Sequence, residues 1–493
     1  MSAVDTGPIK IPAATSGMIP RSDMRVIWLL LVAAFVSILN ETTMGIAIPD
    51  LNTDLGIPPE LGQWLTSAFM LTMAVVIPTT GFILQRFTTR QVFIAAMIAF
   101  SLGTLVALVA PGFTMLLVGR VIQAAGTGVM IPLLMTTIMN VVPPQSRGRM
   151  MGRVGLVISL APAIGPTLAG AVLELANWRA LFAIILPIAL IALAMGAKWM
   201  TNLGETRRVP LDVLSIPLAA LGFGGLVFGL SQFGGEGGSG ENAGILSLLV
   251  GGVSLGLFVW RQLLLQRKDD ALLDLRVFRS GNFTLAVIIV TILALSMFGT
   301  LTLLPQYLQN VAGLNPLQSG LVLLPGSLLM GLLGPFTGRI YDARGTRILL
   351  IPGTILVTAA LFYYSTVGEH TVWWVLIIVQ AVMSVGLAMS FTPLFSASLG
   401  SLPRPLYSHG TAVLNTLQQV GGAAGVAVML VTYSSILHAG ESDGLTAATA
   451  GAPGARAAFL IAALISLATI ALSPFVRRPA DDAGGELVLP SHP

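Results

Sequence analysis

The chain contains no cysteine, which excludes disulfides, zinc–thiolate sites and iron–sulfur clusters and leaves the redox compartment open. Charge is almost as scarce. Asp, Glu, Lys and Arg make up 9% of 493 residues, against roughly 25% in a typical soluble domain. A soluble fold of this length would lack the ionised groups to cover its surface. Histidine occurs four times, and no cluster of His and carboxylates has metal-ligand spacing. No G-x-x-x-x-G-K-[ST] loop is present to cradle nucleotide phosphates, which excludes ATP-driven work within this chain. No Ser/His/acid set falls at one depth, so enzyme readings fail.

What is abundant is apolar. Hydrophobic residues reach 55% and mean hydropathy is +0.88, the composition of an integral membrane protein. Apolar runs of about 20 residues are long enough to cross a bilayer as helices. Fourteen occur, at 26–48, 64–84, 91–110, 113–139, 150–173, 180–199, 211–230, 244–262, 284–304, 318–338, 348–366, 372–396, 410–436 and 457–475. The fold class expected is therefore an all-α polytopic membrane protein. The first 25 residues are polar, with Pro8, Pro12 and Pro20 and no cleavable signal, and are expected to stay inside.

With these spans, Arg120 lies within the membrane and Arg179 and Arg456 lie on the far side. All other Lys and Arg fall on the side of the amino terminus, among them Arg147, Arg149, Arg153, Arg207, Arg208, Arg267, Lys268, Arg276 and Arg279. The positive-inside rule then puts both termini on the cytoplasmic side, and a plasma-membrane location is expected from the family resemblance given below. The pI near 9.7 reflects topology. Nucleic-acid binding would need a contiguous basic surface with interleaved aromatics, and none appears.

An internal repeat organises the spans. Pro78–Arg90, PTTGFILQRFTTR, matches Pro335–Arg347, PFTGRIYDARGTR, at Pro78/Pro335, Thr80/Thr337, Gly81/Gly338, Ile83/Ile340, Thr89/Thr346 and Arg90/Arg347. Both copies close the second span of a six-span block at a basic loop. Their spacing exceeds one such block, and the surplus fits the spans at 211–230 and 244–262, joined by SQFGGEGGSGENA. The expected plan is a tail (1–25), a six-helix half (26–200), two inserted helices with a linker (201–265), a second six-helix half (266–478) and a tail (479–493). Repeats of this kind are frequent in secondary transporters. The inserted pair carries little polar content and reads as peripheral.

Small residues mark close helix approaches: Gly165, Ala169 and Gly170 in span five, and Gly421, Gly422 and Gly425 in span thirteen, where packing alone is the favoured reading. Pro166 removes a backbone hydrogen bond and reads as a hinge. Two ionisable groups sit deep in spans. Glu41 and Arg120 each lie seven residues from an outer span end, roughly 10 Å down at about 1.5 Å per residue. A buried ion costs several kcal/mol unless paired or wetted, so they are expected to pair, to face the bundle interior, or both. One alternative is a static salt bridge. The other is a protonation cycle on Glu41, because desolvation favours the neutral acid and a nearby guanidinium favours the charged form.

Several motifs resemble the fourteen-span drug:proton antiporters of the major facilitator superfamily. Leu39-Asn40-Glu41-Thr42 through Ala47-Ile48-Pro49 is similar to L-D-x-T…A-L-P, and Gln63-Trp64 with Ala68-Phe69-Met70-Leu71 to the second-span opening. Gly81–Arg90 resembles the loop motif G-x-L-a-D-R-x-G-R-R. Arg120-Val121-Ile122-Gln123 with Gly126 resembles R-x-x-Q-G-x-G. Ala161, Gly165-Pro166 and Ala169-Gly170 resemble the antiporter motif G-x-x-x-G-P-x-x-G-G. Asn177-Trp178-Arg179, Phe182 and Pro187 fit the sixth span, and Leu273–Phe278 with Pro305-Gln306-Tyr307-Leu308-Gln309 extend the match to the second half. The resemblance implies a major facilitator fold and proton-coupled efflux of hydrophobic, often cationic compounds. Its proton site would involve Glu41, Arg120 and Asn40, its hinge Gly165, Pro166 and Gly170, and its cytoplasmic gate Gly81, Arg86, Arg90, Asp342 and Arg347.

The chain departs from the family pattern at three places. Asn40 stands where the family has Asp, with Glu41 beside it. In the first loop Gln85 replaces Asp and Thr88 replaces Gly, whereas the second copy keeps Asp342 and Gly345. The implied latch is weaker in the first half, although Arg86 and Arg90 are able to bond carbonyls at helix ends. Met44, Gln123, Thr127, Gln306, Tyr307, Asn415 and Gln419 are candidates to line a central cavity, Gln123 and Thr127 sharing a face with Arg120. His370, His409 and His438 fall at span ends or loops and read as surface residues. The expected partners are the lipid bilayer and a small hydrophobic substrate, with no nucleic acid, no metal, no cofactor beyond the coupling proton, and a monomeric state. Two rival readings are a proton-coupled carrier of a lipid, peptide or amino acid, and a non-transporting membrane scaffold or receptor.

Overall fold

A computed structural model describes residues 20–57, 59–202, 212, 214–233, 241–268 and 270–478. Residues 1–19 and 479–493 of the expected tails, most of the linker with Arg207 and Arg208, and most of the glycine-rich loop between the inserted spans lie outside these residues. Within them there is no strand, and fourteen main helical segments follow one another: α1 (Arg21–Leu55), α2 (Pro59–Arg86), α3 (Thr89–Leu108), α4 (Phe113–Val141), α5 (Arg147–Leu175), α6 (Arg179–Trp199), α7 (215–233), α8 (Glu241–Leu265), α9 (Gly281–Asn310), α10 (Pro316–Arg344), α11 (Arg347–Tyr364), α12 (Trp373–Gly400), α13 (Tyr407–Ser442) and α14 (Ala447–Leu472). Thirteen are long and apolar enough to cross a membrane, and Ser215–Leu230 is a shorter apolar helix.

Several helices outrun the apolar runs that announce them, α1 by five residues at its start and α13 by six at its end. Helical hydrogen bonding continues past the hydrocarbon until a cap stops it, here a left-handed Gly56 after α1 and Asp443 after α13. α7 contains a π-turn at Ala220–Gly224 between two α-helical stretches. It crosses α8 where a side chain on Gly225 would meet the Gly251 backbone. The lipid-facing stripe of α8 is plain in its exposure: Leu246, Leu249, Val253 and Trp260 are all more than half exposed. In water such a stripe would drive aggregation; in a bilayer it is the solvated face.

α1–α6 pack together through α3 on α4 and α6, α2 on α4, and α1 on α4, α5 and α6; α9–α14 repeat the scheme through α11 on α12 and α14, α10 on α12, and α9 on α12, α13 and α14. The two groups meet along two equivalent seams, α5 against α10 and α2 against α13. α7 packs on the outside of the α2–α13 seam, and α8 packs on α7. Arg261 of α8 forms a two-bond ion pair with Asp212, at 2.6 Å for each contact. Asp212 stands outside the spans, and this guanidinium holds its carboxyl below the usual carboxylate range.

The α5–α10 seam is a close crossing. Side chains placed on Gly148 and Gly152 of α5 would run into Gly338 and Gly334 of α10 at the carbonyl oxygens, and the reverse holds for Gly338 and Gly334. Glycines four apart on both helices let two backbones touch, as expected where lipid gives no hydrophobic drive.

Candidate functional site

Glu41 lies in the middle of α1, deep in the protein yet only half-buried, and receives no hydrogen bond from the described residues. Its accessible stripe continues through Gly45, where a side chain would meet open space. Asn40 beside it is 2% exposed, and its amide nitrogen has no partner. The next residue, Thr42, donates to the carbonyls of Ile38 and Leu39 at 3.1 and 3.0 Å, and a side chain on Gly165 of α5 would collide with its hydroxyl. Gly165 thus seats α5 directly against the turn that carries the acid. Gly170 has open space around it, so it serves no close approach here. Pro166 lies in the same helix, and its side chain is outside the described part.

Arg120 is 1% exposed. Its nearest partners are not acidic: Nη1 donates to Gln123 Oε1 at 2.7 Å, Nε points at Leu65 O at 3.5 Å, and the guanidinium lies 4.1 Å from the Phe69 ring centre. The charges of Glu41 and Arg120 act on each other, but no ion pair within 4 Å joins them. The expected partnership is therefore a field across a gap. Arg120 binds α2 to α4 through its own contacts and leaves the carboxylate unclamped.

The candidate lining residues divide. Gln123 is fully buried, and its amide nitrogen donates to Thr104 of α3 at 2.7 Å. Thr127 returns its hydroxyl to Gln123 O. Met44 packs in an outer cluster with Leu51, Leu65 and Trp178. Tyr307 is fully buried and donates to Gly368 O at 2.7 Å. Asn415 donates to Thr411 O at 2.8 Å and approaches Met135 of α4, beside a contact between the Thr136 and Thr411 hydroxyls. These five are packing and sealing residues in this state. Helical spacing told which residues share a face but not which way the face turns. Gln306 and Gln419 are half-buried with no hydrogen bond among the described residues.

The gate motif is well defined. Both oxygens of Asp342 on α10 accept backbone N–H groups at the start of α5, Gly148 and Arg149, each at 2.8 Å. This acid caps a helix of the opposite half, where the helix dipole favours negative charge. Gly345 ends α10 at φ 81°, a conformation reserved for glycine. In the first copy Gln85 donates to Pro405 O at 2.9 Å, a neutral tie across the α2–α13 seam. Thr88 there forms a capping box with Gln91 at the start of α3. Arg90 donates to Ala197 O, at the end of α6, at 2.6 Å. Arg86 stacks near Phe82, and Arg347 is exposed in the first turn of α11.

His409 overturns the surface reading given to it. It is 3% exposed and packs against Gly81 on the α2–α13 seam, and its Nδ1 accepts the Asp274 N–H at 3.2 Å. The linker after α8 is thereby bound to the seam, with Leu273 N–H donating to Gln262 of α8. Removing the Asp342 charge by Asp342→Asn should cost the closed seam about 1 kcal/mol, roughly a fivefold shift toward separation. Double electron–electron resonance between spin labels on cysteines introduced at Gln145 and Arg344 measures it.

At the opposite end Asp54 accepts from the Trp178 indole at 2.8 Å and from Arg179 at 3.1 Å, while Arg179 also donates to Ala110 O. The Asn177-Trp178-Arg179 motif thus ties α1, α6 and the α3–α4 turn, with Asp54 the partner that sequence reasoning missed. Those bonds, the indole first, hold the Asp54 carboxyl below its ordinary value of 3.8. The stabilisation is present above that value and is lost as pH falls through the lower, folded one. Thermal midpoints of the native protein and Asp54→Asn should converge as pH drops below this window and differ at neutral pH.

Two helical halves meeting along two seams, with a half-buried acid in α1, have the architecture of a membrane transporter. Residues 30–426 match the Major Facilitator Superfamily, and the chain belongs to that family. It is 41% identical over 455 residues to the uncharacterized MFS-type transporter YcnB of Bacillus subtilis, covering 92% of this chain and 95% of that one. It is 41% identical over 458 residues to the lincomycin resistance protein LmrB of Listeria monocytogenes, covering 91% and 95%. Among solved structures, the human organic anion transporter MFSD10 shares the fold with a TM-score of 0.62 at 17% identity, over 92% of this chain and 99% of that one.

Proposed function

We propose that this protein is a proton-coupled multidrug exporter of the fourteen-span drug:proton antiporter type, set in the cell membrane as a monomer with both termini in the cytoplasm. The observation that carries the reading is Glu41, a lone carboxylate deep in α1, open on one side and free of any direct ion pair. Such an acid is able to exchange a proton for a hydrophobic cation, since both satisfy the same charge. One proton entering for each monovalent cation that leaves moves no net charge, so the pH gradient drives that exchange; with neutral cargo each inward proton adds about 2.3 kcal/mol per 100 mV. The half-buried amides of Gln306 and Gln419 are the polar contacts offered to cargo, and Gly165 transmits the state of α1 to α5. The name of LmrB supports drug-like cargo over a lipid, peptide or amino acid.

The test is efflux from proteoliposomes loaded with cationic, neutral and anionic fluorescent compounds, with and without a pH gradient. The reading requires gradient-driven export that favours hydrophobic cations and dissipates the gradient in step. Export indifferent to the gradient would overturn it.

A further inference from the structure

The face of the bundle that carries the amino terminus holds a cavity of about 450 Å³ between the α4–α5 and α12–α13 turns. Its lining includes Arg147, Arg404, Arg478, Tyr341, Tyr407 and Ser396, and no Asp or Glu. We propose that this cavity binds a phosphate-type oxyanion, which bridges the two halves and holds this gate shut.

The buried cation is the first argument. Arg147 is 9% exposed. Its guanidinium donates only to neutral acceptors: Val142 O at 3.2 Å, Met139 O at 2.9 Å and the Tyr407 hydroxyl at 3.3 Å. A charge withdrawn from water and given only carbonyls and a phenol keeps much of its desolvation cost. An oxyanion in the adjoining space offsets that cost, and guanidinium groups match phosphate geometry well.

The second argument is an unpartnered group. Ser396 lines the cavity, is 2% exposed, and its hydroxyl has no hydrogen-bond partner among the described residues. The neighbouring Asp342 is outside the lining, and both its oxygens accept N–H groups of the α5 backbone. Arg478 anchors the rim through a 2.8 Å bond to Asp342 O.

The third is placement. The short 3-10 turns Pro144–Ser146 and Arg404–Leu406 occupy equivalent positions before α5 and α13, so the cavity straddles the repeat. Arg147 comes from one half, and Arg404, Arg478, Tyr341, Tyr407 and Ser396 from the other. Separation of the halves would disperse these donors, so the anion favours the closed gate through its differential affinity. The volume also admits a phosphomonoester larger than the free ion. The gating part of this proposal rests on the alternating-access reading above; the binding part does not.

Isothermal titration of the full-length protein in zwitterionic detergent, with inorganic phosphate at constant ionic strength set by chloride, tests the binding part. Saturable binding is expected. Arg404→Gln and Arg147→Gln should weaken it at least tenfold, and Arg267→Gln, away from the cavity, should leave it unchanged. Arg404 is exposed, so its variant decides the matter if Arg147→Gln does not fold. Absence of saturable heat, or native-like binding by Arg404→Gln, would overturn the site. For the gate, phosphate should shift the Gln145/Arg344 spin-label pair toward short distances in the native protein and not in Arg404→Gln; no shift, or a shift to long distances, would overturn the bracing role. Phosphatidylcholine nanodiscs with and without phosphatidic acid identify the source. A short-distance shift from that lipid alone assigns a headgroup, and a shift only with added phosphate assigns a soluble anion. Phosphate binding that survives failure of the efflux test keeps the two readings separate.

Discussion

Glu41→Gln should abolish gradient-driven efflux, by roughly a hundredfold or more, while leaving the binding of neutral cargo within a few-fold of the native protein and weakening that of cations. The substitution nearly preserves size, replaces one carboxyl oxygen by an amide nitrogen, and removes the titratable charge. A hundredfold loss corresponds to about 2.8 kcal/mol. Glu41→Asp should restore part of the coupled flux, because it keeps the acid on a shorter arm. A merely structural acid gives the opposite pattern, in which Gln is tolerated and coupling persists. The assay is parallel: cargo binding by fluorescence quenching in detergent, and cargo efflux with proton uptake in proteoliposomes. Native coupling in Glu41→Gln would remove Glu41 from the mechanism.

Gly338→Val should force the α5–α10 seam apart. Every near neighbour of the added carbon is backbone of Gly148 or Arg149, and backbone in a helix cannot rotate away as a side chain does. Overpacking of this kind costs about 1–3 kcal/mol, enough to shift the closed population by roughly five- to more than a hundredfold. Because the chain has no cysteine, one introduced at Thr411 is a clean reporter. Thr411 is fully buried in the seal beside Thr136, and an impermeant maleimide should reach it at least tenfold faster in the valine variant. Gly170→Ala serves as the control, since that position has open space around it. Equal labelling of all three proteins would mean that the glycine ladder does not set the gate.

Much of this was legible because membrane burial writes itself into one dimension. A bilayer forbids unpaired backbone, so each crossing needs a long apolar run, and the fourteen runs correspond to fourteen helices. The repeat was legible for a similar reason. Pro78–Arg90 and Pro335–Arg347 occupy the same position on the two seams, and their shared glycines, Gly81 and Gly338, face α13 and α5. The Gly148/Gly152 and Gly334/Gly338 spacings were also present as a signal, but small residues recur throughout the chain and nothing local ranked these pairs above Gly421 and Gly425. Those two pack on α9 against Thr291 and Leu295.

The direction in which a polar side chain turns was not legible. Arg120 looked like the mate of Glu41 because both lie at one depth, yet its guanidinium is spent on Gln123, Leu65 and Phe69. His409 looked like a surface residue because it stands near a helix start, yet the α8–α9 linker folds over it. Azimuth about a helix axis, and the path of a connecting loop, depend on neighbours far away in the chain.

Alone, then, the amino-acid order determined a membrane-spanning helical bundle, its duplicated halves and the position of its one deep carboxylate, since hydropathy and repeat register are properties of the chain read in line. The tertiary structure decided which glycines touch, that Asp342 caps a helix of the other half, and that Glu41 is left without a direct counterion. These outcomes depend on how two halves close on each other, and close approach between distant segments is set by packing in three dimensions.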